Sequence, residues 1–179
     1  MTMETPSPYI SQITPSEVGL LTALARTTFE ETYGGRTNPL DLQCYLDAHL
    51  TLDRFRAELA APESTFHLAY IGAEPAGYLK LRRDRLPKGL PSGWPCLQVE
   101  RIYVLRRFQG AGLGSTLLSL AIEEARAAGH KTVWLQVWQQ NPEAIGFYRS
   151  RGFEIFETAH FVLGDQTTED YLMRFDIQD

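Results

Sequence analysis

The chain has 179 residues, 44% hydrophobic and 22% charged, with a formal net charge of −5. That is the length of one ordinary domain with apolar material for a sizeable core, and its acidic balance disfavours nucleic-acid binding through a basic face. No run of about 18 apolar residues exists, so no membrane-spanning helix is expected, and Met1–Tyr9 is polar and Pro-rich without an apolar signal core, so a cytoplasmic protein is expected.

In chain order, Tyr9–Ile13 reads as a short strand. Thr14, Pro15 and Glu17 form a helix-start signature, with Glu17 at the capping-box position. The helix that follows carries Leu21, Leu24, Ala25, Thr28 and Phe29 on one stripe and should stop by Gly34-Gly35. Asn38 or Asp41 caps a second helix through His49, and Thr51 opens a third that ends before Pro62. Thr65–Ile71 and Ala76–Arg83 read as strands around the turn Gly72–Pro75, and Asp84–Pro95 reads as a surface loop. Cys96–Leu105 alternates, with Leu97, Val99, Arg101 and Tyr103 on one side and Gln98, Glu100, Ile102 and Val104 on the other. A glycine-rich turn leads into a helix ending at Gly129; Lys131–Trp138 is a strand on which Trp134 and Trp138 pack opposite Val133, Leu135 and Val137. Asn141-Pro142 starts a short helix to Arg151, and Phe153–Leu163 with Glu169–Ile177 forms a hairpin across Gly164–Gln166. The order β-α-α-α-β-β-β-α-β-α-β-β predicts an α+β, or mixed α/β, domain without a linker.

The turn Gln109-Gly110-Ala111-Gly112-Leu113-Gly114 sits between a strand and a helix. Glycines there allow positive φ and close approach of the main chain to a ligand, and free N–H groups at a helix start suit an anion. The spacing fails the dinucleotide fingerprint, because Ser115 or Leu117 falls where the third glycine belongs. It also fails the Walker pattern, because Gly114 is followed by Ser115-Thr116 with no lysine. The pattern left, Gln-x-x-Gly-x-Gly, would hold a pyrophosphate by backbone alone; the alternative is a connector with no ligand.

Three segments in order, Glu100-Arg101-Ile102-Tyr103-Val104, Gln109–Gly114, and Asn141-Pro142-x-Ala144-Ile145-x-Phe147-Tyr148-x-x-x-Gly152-Phe153, resemble the Gcn5-related N-acetyltransferase family over Thr65 to Phe153. Thr28-Phe29-x-x-Thr32-Tyr33-Gly34 and His160-Phe161-x-Leu163-Gly164-Asp165-x-x-Thr168-x-Asp170 look like its PaiA-type polyamine acetyltransferase branch. The resemblance implies a central, mostly antiparallel mixed sheet with a splayed strand pair, flanked by helices, and acetyl-CoA as cofactor. It divides one domain over 1–179 into acceptor-side helices (about 1–62), a cofactor-binding core (65–153) and a C-terminal hairpin (153–177). Carried over by position, the main chain of Ile102, Tyr103 and Val104 would face the pantetheine and thioester. Gln109, Gly110, Ala111, Gly112, Leu113, Gly114 and Ser115 would hold the pyrophosphate, Asn141 would contact the pantetheine arm, and Tyr148 would lie near the sulfur. The first loop position, often arginine in the family, is Gln109 here. Arg106 and Arg107 stand nearby, open either to a phosphate contact or to simple solvation.

Acetyl transfer to an alkylamine requires removal of a proton, since such amines have a pKa of about 10.4. Glu100 precedes Ile102 by two and projects to the same side of the strand, which makes it the candidate base, directly or through a water. Its alternatives are to position a cationic substrate or to pair with an arginine. Main-chain N–H groups near Tyr103 or Val104 would stabilise an oxyanion if the strand is splayed there. Tyr148 is the candidate acid. Transfer from a tyrosine near pKa 10 to a thiolate near 8.5 is uphill by about 2 kcal/mol, so it either hydrogen-bonds the departing sulfur or is tuned locally. Neighbouring helix positions diverge, so Phe147 can be core while Tyr148 faces the cleft; the alternative is a core tyrosine beside Phe147.

Phe29, Glu30, Glu31, Tyr33 and Asp41 are candidates for an acidic, aromatic acceptor pocket, with Phe29, Glu30, Tyr33 and Glu100 as the leading substrate contacts. The expected acceptor is a primary amine in a ternary complex, with a polyamine such as spermidine or spermine in front. Alternatives are a protein N-terminus, a lysine, an amino acid or an antibiotic amine, or a non-catalytic acyl-CoA-binding regulator. Cys44 and Cys96 read as free thiols, and His49, His67, His130 and His160 are too scattered to suggest a metal site. No nucleic acid or membrane partner is expected; the C-terminal hairpin is compatible with a homodimer or with an intrachain sheet.

Overall fold

The computed structural model describes residues 8–178. Residues 1–7, most of the segment judged to lack a signal core, lie outside the described residues, as does Asp179. The elements run β1 (Pro8–Gln12), α1 (Val18–Tyr33), α2 (Pro39–His49), α3 (Leu52–Ala60), β2 (Ser64–Ile71), β3 (Glu74–Arg82), β4 (Cys96–Val104), α4 (Leu113–Ala127), β5 (Thr132–Trp138), α5 (Pro142–Ser150), β6 (Glu154–Leu163) and β7 (Gln166–Asp176). The seven strands form one open sheet in the order β1-β2-β3-β4-β5-β7-β6. It is a mixed α/β fold with a mostly antiparallel sheet. Among the described residues no helix is long and apolar enough to cross a membrane.

The described residues condense into two compact units, residues 8–80 with 101–118, and residues 81–100 with 119–178. In the first, β1 runs antiparallel to β2 from Pro8↔Ile71 to Gln12↔His67. Glu17 accepts the Thr14 N–H at 2.8 Å, and a single 3₁₀ turn over Pro15–Glu17 precedes α1, so the α-helix starts three residues later than Pro15 suggested. The Asn38 side-chain Oδ1 caps α2 by accepting the Leu40 N–H at 2.9 Å, and the Thr51 hydroxyl caps α3 by accepting the Arg54 N–H at 3.3 Å. The stripe Leu21, Leu24, Ala25, Phe29 is buried, with Leu42, Leu46, Phe55, Phe66, Leu68 and Tyr78 completing this unit's core. Each large side chain so buried contributes about 1.5–3 kcal/mol.

A charged cluster is set into that core. Glu58 of α3 accepts from Lys80 of β3 at 2.9 Å and from both Nη atoms of Arg101 of β4 at 2.9 and 3.2 Å. Lys80 is 1% exposed, and its Nζ lies 5.4 Å from the Phe66 ring centre. Burial raises the Glu58 pKa, but the charges of Arg101 and Lys80 outweigh it and hold the carboxyl below its ordinary range.

In the second unit, β4 and β5 run parallel through four pairs, Cys96↔Thr132 to Val99↔Leu135. The register ends there, although β4 continues to Val104 and β5 to Trp138. β7 is antiparallel to β5 from Thr132↔Asp176 to Trp138↔Asp170, and β6 closes the edge against β7. The hairpin departs from expectation: β7 begins at Gln166, so the turn is only Gly164-Asp165, with Gly164 at φ +60°. Two-residue hairpin turns need such left-handed positions, which glycine supplies. A bulge between Ile155 and Glu157 shifts the β6 register by one.

The loop 84–95 also departs from the simple surface reading. Leu90 and Trp94 pack against Cys96, Trp134 and Leu172, together with Phe156 and Ala159. The Trp94 indole donates to Thr132 Oγ1 at 2.9 Å and the Trp134 indole to the Arg85 carbonyl at 3.2 Å. The loop's prolines mark it as irregular, but its aromatic and aliphatic residues supply enough apolar area to cover this side of the sheet. Trp134 and Trp138 are both buried, as the alternation of β5 requires.

Candidate active site

In the first unit β4 leads through Leu105, whose N–H reaches the Ala76 carbonyl at 2.8 Å, into a 3₁₀ turn over Arg106–Phe108. The glycine turn follows with Gly110 at φ +85° and Gly112 at φ +83°. A Cβ on either glycine would meet no atom within 4 Å, so it is the dihedral that demands glycine, and the main chain there stands open to an incoming group. The first α4 bond runs from the Thr116 N–H to the Gly112 carbonyl at 3.0 Å. The N–H groups of Gly112, Leu113 and Gly114 therefore precede the ladder, where the helix dipole favours an anion. This cradle fits the pyrophosphate of a coenzyme.

The flanking side chains are occupied otherwise than the spacing suggested. Gln109 turns back, its Nε2 donating to the Val104 carbonyl at 3.1 Å, and so ties the cradle to the end of β4. The Arg106 N–H donates to Glu31 Oε2 at 2.8 Å and its guanidinium to the Glu31 carbonyl; Arg107 pairs with Glu74. Both arginines thus fasten the loop to α1 and β3, and Glu31 serves that anchor.

Beside the cradle, Ile102, Tyr103 and Val104 are each half-buried, and Tyr103 stacks on Tyr78 at 5.7 Å. Gly77 of β3 faces them: a Cβ there would lie 2.6 Å from the Tyr103 carbonyl. That close approach of two backbones was not singled out in the sequence, where Gly77 is one glycine inside a strand pattern. Burial pushes the Tyr78 hydroxyl well above its ordinary pKa, so it stays protonated.

Among the acceptor candidates, Glu30 is exposed and Tyr33 half-buried, whereas Phe29 is buried. Phe29 packs on Tyr33 at 4.4 Å and on Tyr45 of α2 at 4.7 Å, and Tyr45 meets His49 at 4.5 Å. Phe29 supports this cluster from beneath. Tyr45 and His49 were missed, because only the packing of α1 on α2 reveals them.

The second unit holds the two candidate proton carriers. Glu100 is half-buried, and its Oε2 lies 3.5 Å from Arg82 Nε, the pairing that was one of its alternatives. Arg82 also grips Asp84 through two bonds of 2.9 and 2.7 Å. Asn141 caps α5, its Oδ1 accepting from the Ala144 N–H at 3.1 Å. Tyr148 is buried and packs on Phe153 at 5.9 Å, while Phe147 is the half-exposed neighbour under Arg151. Phe147 is thus not the core member of the pair, because α5 turns its Ile145–Tyr148 side inward.

The second unit also holds a carboxylate that in the sequence is only the last residue of the His160–Asp170 motif. Asp170 of β7 is 6% exposed. Its Oδ2 accepts from Gln136 Nε2 at 2.8 Å, while its Oδ1 has no partner among the described residues. Burial raises its pKa, against hydrogen bonds from Gln136 and Thr168.

Residues 25–153 match the model of the Acetyltransferase (GNAT) family. The chain is 36% identical over 167 residues to an uncharacterized N-acetyltransferase encoded in the pepI 3′ region of Lactobacillus delbrueckii subsp. lactis, covering 92% of this chain and 95% of that one. It is 30% identical over 155 residues to an uncharacterized N-acetyltransferase of Mycobacterium bovis, covering 86% and 93%. Among solved structures, the PaiA N-acetyltransferase of Thermoplasma acidophilum in complex with coenzyme A superposes with a TM-score of 0.77 at 18% identity, over 96% of this chain and 99% of that one.

Proposed function

Because the chain belongs to the Acetyltransferase (GNAT) family, and is therefore an acetyl-CoA-dependent N-acetyltransferase, we propose that it acetylates a primary amine, with a linear polyamine as the leading acceptor. The observation that carries the reading is the cradle: Gly110 and Gly112 at positive φ, followed by helix-start N–H groups ahead of the first α4 bond. The PaiA N-acetyltransferase bound to coenzyme A shares the fold; the polyamine rests on the likeness of Thr28–Gly34 and His160–Asp170 to the polyamine acetyltransferase branch.

In the first unit the main-chain N–H groups of Gly110 to Gly114, with Ser115, would hold the pyrophosphate and Ile102–Val104 would face the pantetheine arm, a contact that the family resemblance also gives to Asn141 of the second unit. When bound, acetyl-CoA supplies the acetyl carbonyl that the amine nitrogen attacks and the sulfur that leaves. Glu100 accepts the proton that the amine gives up, with Arg82 orienting the carboxylate. Tyr148 holds its hydroxyl proton towards the departing sulfur. Glu30 and Tyr33 contribute contacts to the acceptor, and Phe29 fixes the ring of Tyr33.

The purified protein offered acetyl-CoA and a panel of amines is expected to release thiol with at least one polyamine. Absence of turnover with every amine and peptide, despite measurable coenzyme binding by calorimetry, refutes amine transfer. Tyr148→Phe keeps the ring that packs on Phe153, so acetyl-CoA affinity should stay within twofold while kcat falls by about 10²-fold. An unchanged kcat removes Tyr148 as the acid.

A further inference from the structure

One side of the second unit's sheet gathers polar groups across three strands. Partners in a ladder project to the same side, so Trp134, Gln136 and Trp138 of β5 share a side with Asp170 and Leu172 of β7. The pair Gln98↔Trp134 places Gln98 on it as well, and alternation along β4 adds Glu100, the candidate base. The cover formed by Leu90 and Trp94 reaches Trp134 and Leu172. One step further along β5, Gln136 is the single exposed residue of a strand otherwise buried throughout.

Gln136 is not idle there. Its amide rests on Asp170 Oδ2 at 2.8 Å, and the other carboxylate oxygen is buried without a partner among the described residues. A buried carboxylate with an unanswered oxygen is costly unless a cation or donor joins it. Among the described residues no ion pair involves Asp170, and the hydrogen bond it accepts is from the neutral Gln136 amide. Glu100, by contrast, already has Arg82 beside it. The strand order puts Asp170 two strands from Glu100, and because the β4–β5 pairing ends at Val99↔Leu135 while Asp170 lies opposite Trp138, the gap exceeds the roughly 10 Å of two paired spacings.

We propose that Asp170, screened by the movable amide of Gln136, is the seat for a second ammonium of the acceptor, holding one end of a linear di- or polyamine while the reacting nitrogen is presented to Glu100. This rests on the amine-transfer reading and narrows it to acceptors with two cationic centres separated by several methylenes. Asp170 acts as a positioning and specificity residue. The ammonium displaces the Gln136 amide, and the acetylated nitrogen is the one away from Asp170.

The test is calorimetry on the full chain saturated with free coenzyme A, titrating spermidine and, as single-charge control, butylamine. The wild type is expected to bind spermidine at least tenfold more tightly than butylamine. Asp170→Asn should lose at least tenfold for spermidine and little for butylamine, with coenzyme affinity unchanged. Gln136→Lys, at an exposed position, places a fixed cation in front of Asp170; it should cost spermidine at least tenfold and leave the melting temperature no lower. Spermidine binding equal to wild type in either variant, or no preference for spermidine in the wild type, overturns the proposal. If Asp170→Asn does not fold, Gln136→Lys alone decides. Thiol release from any monoamine tests the broader reading separately, so transfer without Asp170-dependent selectivity discards only this inference.

Discussion

At Gly112 the main chain sits at φ +83°, and a Cβ there would touch nothing. Gly112→Ala should therefore cost stability only through the backbone, about 1–2 kcal/mol, without any clash. Its larger effect is expected on the ligand, because relaxing the dihedral turns the N–H groups of the cradle away from a common point. Coenzyme A affinity by calorimetry should fall at least tenfold while the far-ultraviolet spectrum is retained; an unchanged affinity would mean that the cradle does not grip the pyrophosphate. The glycine pattern was visible in the sequence, and so were Glu100 and Tyr148 as candidate proton carriers. The partners were not: Gln109 binding the Val104 carbonyl and Arg106 meeting Glu31 join residues 5 and 75 positions apart, and only the second pair needed the fold to reveal it. Gln109 could have been found from its place one turn after the strand end.

Helix α3 shows what an element contributes. Its apolar Phe55 packs edge-on against Phe66 at 6.1 Å, and Glu58, one turn on, collects Lys80 and Arg101 from two strands. Removing Glu58 leaves Lys80 buried without its carboxylate, so Glu58→Ala should destabilise by about 3–5 kcal/mol, measured by urea denaturation at pH 7. Because the folded pKa of Glu58 lies below the unfolded value of about 4.3, its contribution is present above that value and is lost as pH falls through the folded pKa. The wild-type and variant stabilities should converge in strong acid; a constant difference down to pH 2 would contradict the ion-pair account. Element order was legible throughout, since periodicity and caps are local. Element ends were less so: the β7 start at Gln166 follows from a turn of two residues that the Gln166–Thr168 polar run disguised, and the cover formed by loop 84–95 depends on a sheet side that no local pattern displays.

For the molecule as a whole, the formal charge of −5 and the Asp170 oxygen that has no partner among the described residues both favour a cationic acceptor. Raising salt from about 50 to 300 mM shortens the Debye length to well under 10 Å, so KM for a polyamine should rise several-fold while kcat holds; a salt-independent KM would indicate that charge does not guide the acceptor. What the amino-acid order determined by itself is everything set by neighbours along the chain: helix and strand periods, caps, the glycine turn and, through three spaced motifs, the family. The tertiary structure alone decided which polar groups face each other, because those pairings are made between strands and helices distant in sequence. Glu58 with Lys80 and Arg101, Glu100 with Arg82, and Gln136 with Asp170 exist only once register and packing set their distances, and burial then sets their charge.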